Sequence, residues 1–126
     1  MVGTEVELLL LKHTDGVWQL LPVYLVGAAL LAAGWVGASP GPSSLRLLRG
    51  IMWIFVASGL AGIVLHFRGN VTFEQESDPS IAGAALLRRA VMGASPTLAP
   101  GTMLQLGLVG LVFLFRHPGL QTRKAT

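Results

Sequence analysis

His66-Phe67-Arg68-Gly69-Asn70-Val71-Thr72-Phe73-Glu74-Gln75-Glu76-Ser77-Asp78-Pro79 decides the reading of this chain, because it alone concentrates ionisable groups among runs that have almost none. Residues 51–65, immediately before it, carry no charge. A long uncharged apolar run ending in a charged stretch marks the exit of a helix from lipid into water.

Composition agrees with that reading. Of 126 residues, 52% are hydrophobic and only 12% charged, where a soluble domain has roughly a quarter charged. The chain reads as an all-α integral membrane domain, with room for three crossings, or four at most, of about 20 residues each. It has no cysteine, which excludes disulfides, thiolate metal sites and cysteine nucleophiles. The net charge of +3 comes from scattered bases rather than a patch, so nucleic acid is not an expected partner.

Working outward, the pattern predicts crossings over 18–38, 45–67 and 100–115, and a single membrane domain over 1–126. Trp18 and Trp35 mark the ends of the first crossing, with Pro22 near its start. Gly37-Ala38-Ser39-Pro40-Gly41-Pro42 stops that helix, and the loop after it contains Arg46 and Arg49. Gly69-Asn70 reads as a left-handed cap ending the second crossing, and 71–75 as an extended segment. Asp78 as cap and Pro79 as first residue then predict an amphipathic surface helix over 79–92. Its apolar face is Ala84, Leu87 and Val91, with Arg88 and Arg89 at the polar boundary near Glu74 and Glu76. The third crossing is short, about 24 Å at 1.5 Å per residue. Gly93-Ala94-Ser95-Pro96 repeats the earlier tetrapeptide and reads as a second helix stop rather than a duplicated unit. The N-terminal Val6-Glu7-Leu8-Leu9-Leu10-Leu11 is too short to cross and reads as an interfacial helix or as the tail of a further crossing. His13-Thr14-Asp15-Gly16 reads as a turn.

Charge sets the orientation. With three crossings, Arg46, Arg49, Arg116, Arg123 and Lys124 share one side with no acid. Lys12, Arg68, Arg88 and Arg89 share the other with all six acids. The positive-inside rule therefore puts the C-terminus in the cytoplasm and the 68–99 loop on the periplasmic or extracellular face.

Four stretches carry a resemblance: His66-Phe67-Arg68-Gly69-Asn70-Val71-Thr72-Phe73-Glu74, Gly93-Ala94-Ser95-Pro96-Thr97-Leu98-Ala99-Pro100-Gly101, Gln105-Leu106-Gly107-Leu108 and Arg116-His117-Pro118. In them the chain resembles a group of small uncharacterised bacterial integral membrane proteins, over roughly its second half. The resemblance implies a bacterial inner membrane and a further hydrophobic helix ahead of the position of His13. It implies no activity and carries over no catalytic residue.

The residues that would carry chemistry are few. His66, His13 and Gln105, with Gln19, fall near one interface, and imidazole at that depth suits haem, metal or proton transfer. Haem held between helices normally takes a histidine from each, and only His66 lies within a predicted crossing. Glu74, Glu76 and Asp78 alternate along a segment read as extended, which would turn them to one face for a divalent cation or simply to water. Asn70-Val71-Thr72 matches a glycosylation acceptor, but Asn70 reads as a cap. No Ser/His/Asp arrangement, phosphate loop or helical zinc motif appears, so the expectation is no enzyme and no cofactor. Small residues four apart, Ala28 with Ala32, Ala29 with Ala33, Ala57 with Ala61 and Ser58 with Gly62, form ridges suited to close helix packing in lipid. The expected partners are the lipid bilayer and other transmembrane subunits or copies of the chain. The expected role is structural, with redox or ion handling through His66, His13 and the acidic segment as the competing class.

Overall fold

The computed structural model describes residues 17–93 and 100–120, with side chains from Leu20 onward. The expected N-terminal apolar segment, His13, the Gln19 side chain, residues 94–96 of the second helix stop and the basic tail lie outside the described residues. All regular structure within them is helical: α1 over Val17–Ala38, α2 over Pro42–Ser77, α3 over Gly83–Val91, α4 over Gly101–Leu114, and a 3-10 turn over Pro118–Leu120. α1 and α4 match their expected ranges closely.

α1 and α2 are long and apolar enough to cross a membrane. Only 17% of the α1 window and 22% of the α2 window is buried within the protein. The core helix of a soluble protein hides its apolar surface, whereas Tyr24, Leu31, Trp53, Leu60, Val64 and Leu65 all face outward here. α4 is a shorter apolar helix.

α2 differs most from expectation. It does not stop near residue 67 but continues for 36 residues to Ser77, about 54 Å at 1.5 Å per residue. Its uncharged portion, 50–67 between Arg49 and Arg68, is about 27 Å and alone matches a hydrocarbon core of about 30 Å. The expected extended segment 71–75 is helical, and neither Gly69 nor Asn70 has a positive φ. Val71, Thr72 and Phe73 favour strands only weakly, and context overrides such preferences. The Thr72 hydroxyl donates to the Arg68 carbonyl at 3.1 Å and the Ser77 hydroxyl to Phe73 at 2.8 Å, so both polar side chains fold onto the helix.

The chain forms two compact units, Met1–Phe55 with Leu106–Thr126, and Val56–Gln105. In the first, α1 and the start of α2 are joined by Ser39-Pro40-Gly41. Pro42 opens α2 at the position where a missing amide hydrogen costs least. Buried Ser44 accepts from the Gly41 amide at 3.1 Å, while its hydroxyl faces the Ser39 and Gly41 carbonyls at 3.0 and 3.1 Å. This ties the helix start to the incoming chain, much as a capping box does. Val26, Ala29 and Ala32 of α1 are buried, as are Leu45, Leu48, Ile51, Met52 and Phe55 of α2. The inner ridge of α1 thus runs through Ala29 and Ala32, while Ala28 and Ala33 face outward. Gly110 of α4 lies directly against the Met52 side chain. After α4 the chain turns at Arg116, in the left-handed region at φ 53, and Gly119 meets Leu45, where an added Cβ would stand 2.5 Å from Leu45 Cδ1.

In the second unit, α4 begins hard against α2. A Cβ added at Gly59 would stand 2.5 Å from the Leu104 backbone nitrogen, and one at Gly62 would stand 2.6 Å from Pro100 Cβ. Close backbone approach of this kind needs glycine. The ridges predicted through Ala57 with Ala61 and Ser58 with Gly62 are therefore only partly internal: Gly62 and the unforeseen Gly59 face α4, while Ala57 and Ala61 face outward.

Replacing Gly59 with Val should lower stability by about 1–3 kcal/mol, the usual cost of overpacking. Gly34, with nothing within 4 Å of an added Cβ, should gain about 0.5–1 kcal/mol as Ala from helix propensity. Thermal unfolding of the two variants in detergent should give shifts of opposite sign.

Candidate functional site

At 100° per residue, Gly59, Gly62, His66, Asn70 and Glu74 fall in one stripe about 120° wide along α2. The stripe changes from small to polar as it leaves the apolar run. Its glycines receive the start of α4, and its polar end receives α3.

α3 does not begin where the sequence suggested. Asp78 caps a tight turn instead: its Oδ1 accepts the Ser80 hydroxyl at 2.6 Å and the Ser80 amide at 3.1 Å, and the Ile81 amide donates to the Asp78 carbonyl at 3.0 Å. The Asx turn consumes the residues expected to form the first helical turn. The helix starts at Gly83, φ +60, after Ala82 and without a side-chain cap. Those two hydroxyl and amide bonds, in that order, hold the Asp78 carboxyl below the usual carboxylate range, with Arg89 adding a smaller effect.

α3 then packs back along α2 in antiparallel register. The Asn70 side-chain amide donates to the Ala90 carbonyl at 2.8 Å, both residues being buried. Ala90 is in the last turn of α3, where carbonyls lack intrahelical donors. Asn70 was expected to cap its own helix, and it caps this one instead. Gly93 makes the approach possible, because an added Cβ would stand 2.9 Å from Asn70 Cγ and 3.0 Å from the Arg89 carbonyl. One turn further along α2, Glu74 faces Arg89 at 3.6 Å, as the charge pattern predicted. The apolar face also differs in detail: Ile81 and Ala90 are buried, while Ala84, Leu87 and Val91 face outward.

The sequence-derived candidates are not brought together. On a helix Glu74 and Glu76 point about 200° apart, so the single face that an extended segment would have given them does not form. Glu74 pairs with Arg89, Glu76 is exposed, and Asp78 holds Ser80. Among the described residues no group of three His, Asp or Glu side chains is placed to hold a metal. His66 lies on the inner stripe with its Nδ1 buried and without a hydrogen bond. Gln105 is exposed and does not bond that nitrogen. His117 has a structural role, its Nδ1 accepting the Gly119 amide at 3.2 Å. Sequence reasoning missed Gly59 here, and it read Gly93 as a helix stop without foreseeing its close approach to Asn70. Their signal was available as a glycine three before Gly62 on the same face and a glycine just after α3.

In comparisons with known proteins, no family model, no curated protein and no solved structure matches the chain.

Replacing Asn70 with Leu should weaken the hold on α3 by about 1–3 kcal/mol, because the Ala90 carbonyl loses its donor. Asn70→Asp should be worse, since a carboxylate only accepts. Amide hydrogen exchange over 83–91 should rise in both, and in Gly93→Ala, while the apolar part of α2 stays protected. The Asp78 turn has a pH dependence of definite sign. A carboxyl whose folded pKa is lowered stabilises the fold above its unfolded pKa, and that contribution is lost as pH falls through the folded value. Opening of residues 78–82 should therefore increase only on acidification below the ordinary aspartate pKa of 3.8, and Ser80→Ala, which removes the hydroxyl bond and keeps the amide bond, should weaken that dependence.

Proposed function

We propose that the chain is a small integral membrane protein with a structural rather than catalytic role, an accessory subunit packing against a larger membrane complex or against copies of itself. One observation carries this. Opposite the inner stripe, α2 presents Ala57 and Ala61 at the centre of a band flanked by Leu60, Val64 and Leu65, all exposed. Two small residues one turn apart between large ones make a shallow groove into which a second transmembrane helix fits closely. Water would penalise so much outward apolar surface, and lipid does not.

The third apolar segment supports a three-crossing topology despite the shortness of α4. Pro100 meets Gly62 in one unit and Gly119 meets Leu45 in the other. The run 100–115 is about 24 Å long if fully helical, a length that local thinning of the bilayer accommodates. The base distribution favours a cytoplasmic C-terminus and a 68–99 loop on the opposite face. The resemblance to bacterial membrane proteins suggests the inner membrane.

A second reading, redox or ion handling, draws on the buried Nδ1 of His66, since an imidazole nitrogen without a partner is open to ligation. A Soret band or stoichiometric metal in the purified protein would favour it over the structural role. The acidic segment adds little to it, with Glu74 and Asp78 already engaged.

A photo-crosslinker at Ala57 should trap a discrete partner, or a second copy, in native membranes, and Ala61→Phe should abolish the adduct. Crosslinking to lipid alone would contradict the accessory role. Single cysteines at Ser77 and Thr122, in a chain that has none, should be labelled by an impermeant reagent in intact cells at 77 and not at 122. The opposite pattern would reverse the orientation.

A further inference from the structure

On the outer flank of α3 a cleft of about 490 Å³ opens among Glu74, Ala85, Arg88, Arg89, Met92 and Gly93. Helical geometry gathers Arg88, Met92, Ala85 and Arg89 into one sector about 100° wide, away from the buried Ala90. The cleft holds two guanidinium groups and one carboxylate. Arg89 faces Glu74 at 3.6 Å, longer than a hydrogen bond. Arg88 is exposed, and among the described residues no carboxylate lies within ion-pair distance of it. Asp78 is occupied by Ser80. The cleft is therefore left with one uncompensated positive charge and with guanidinium donors free to bind oxygen.

Its depth and its walls narrow the ligand. Glu74 lies six residues beyond Arg68, about 9 Å along α2, so a guanidinium at its level reaches the headgroup layer that flanks a hydrocarbon core of about 30 Å. Met92, 74% exposed beside the two arginines, offers an apolar contact that a lipid satisfies and free phosphate does not.

We propose that this cleft binds the phosphate of an anionic membrane phospholipid, with Arg88 as the principal donor and Arg89 as the second. Planar guanidinium groups match phosphate oxygens in geometry as well as charge. Glu74 tunes the site by competing for Arg89. The proposal rests on the membrane reading above.

The test is native mass spectrometry of the full chain released from nanodiscs of phosphatidylcholine with graded phosphatidylglycerol, counting retained lipid. The wild-type chain should retain phosphatidylglycerol over phosphatidylcholine, and Arg88→Gln should lower that retention about fivefold, the effect of one base near a lipid surface. Arg88→Lys should keep most of it. Glu74→Gln should raise it, a gain that misfolding cannot produce. Unchanged retention in Arg88→Gln, a loss in Glu74→Gln, or an equal loss in Arg46→Gln at the other end of α2 would overturn the site. Displacement of the lipid by millimolar inorganic phosphate would assign the cleft to a soluble anion and overturn the lipid source. Failure of the membrane reading would appear differently, as a chain recovered without detergent or nanodiscs.

Discussion

The inner stripe of α2, from Gly59 to Glu74, is the surface on which the second unit is built, and it runs from small residues to polar ones. Within the uncharged run the stripe offers Gly59 and Gly62, with His66 near its end, and attraction at the glycines comes from backbones brought close together. Beyond Arg68 it offers Asn70 and Glu74, and the contacts become a hydrogen bond and an ion pair. Remove the Asn70 bond and the last turn of α3 loses a buried hydrogen bond to α2; remove the Gly59 contact and α4 must move away from α2. The exposed ion pair matters less, since such pairs contribute about 0–1 kcal/mol.

The same stripe explains why α2 runs so far past its uncharged portion. Asn70 and Glu74 are one helical turn apart and meet Ala90 and Arg89 only if residues 68–77 remain helical. Strand preference at Val71 to Phe73 amounts to a fraction of a kcal/mol per residue, against a buried hydrogen bond of about 1 kcal/mol and the burial of Ile81 and Ala90. Tertiary contact wins, and the acidic residues lose the common face that an extended segment would have given them. What remains on the far side of α3 is a basic cleft rather than an acidic one.

Much of this was legible in the sequence. The ranges of α1 and α4 follow from uncharged runs bounded by proline, glycine and arginine, and the meeting of Glu74 with Arg89 followed from keeping both charges wet. Other features were hidden because their causes are not local. Asn70 reads as a cap in any local window, and only the return of α3 shows that it caps a different helix. Asp78-Pro79 reads as a helix start, and Ser80 diverts it into an Asx turn. The glycine surface at Gly59 was obscured by the more conspicuous alanines at 57 and 61, which point the other way. His66 was picked out for its chemistry, but nothing in the sequence says which groups face its Nδ1.

The fold-back of α3 onto α2 is tested most directly by a disulfide. An added Cβ at Gly93 stands 2.9 Å from Asn70 Cγ, which places the two Cβ positions within the range that a disulfide requires. In the cysteine-free chain, Asn70→Cys with Gly93→Cys should oxidise spontaneously in membranes, and Thr72→Cys with Gly93→Cys, pointing about 200° away on α2, should not. Failure of the first pair to cross-link, or equal cross-linking of both, would contradict the packing from which the account of this protein is built.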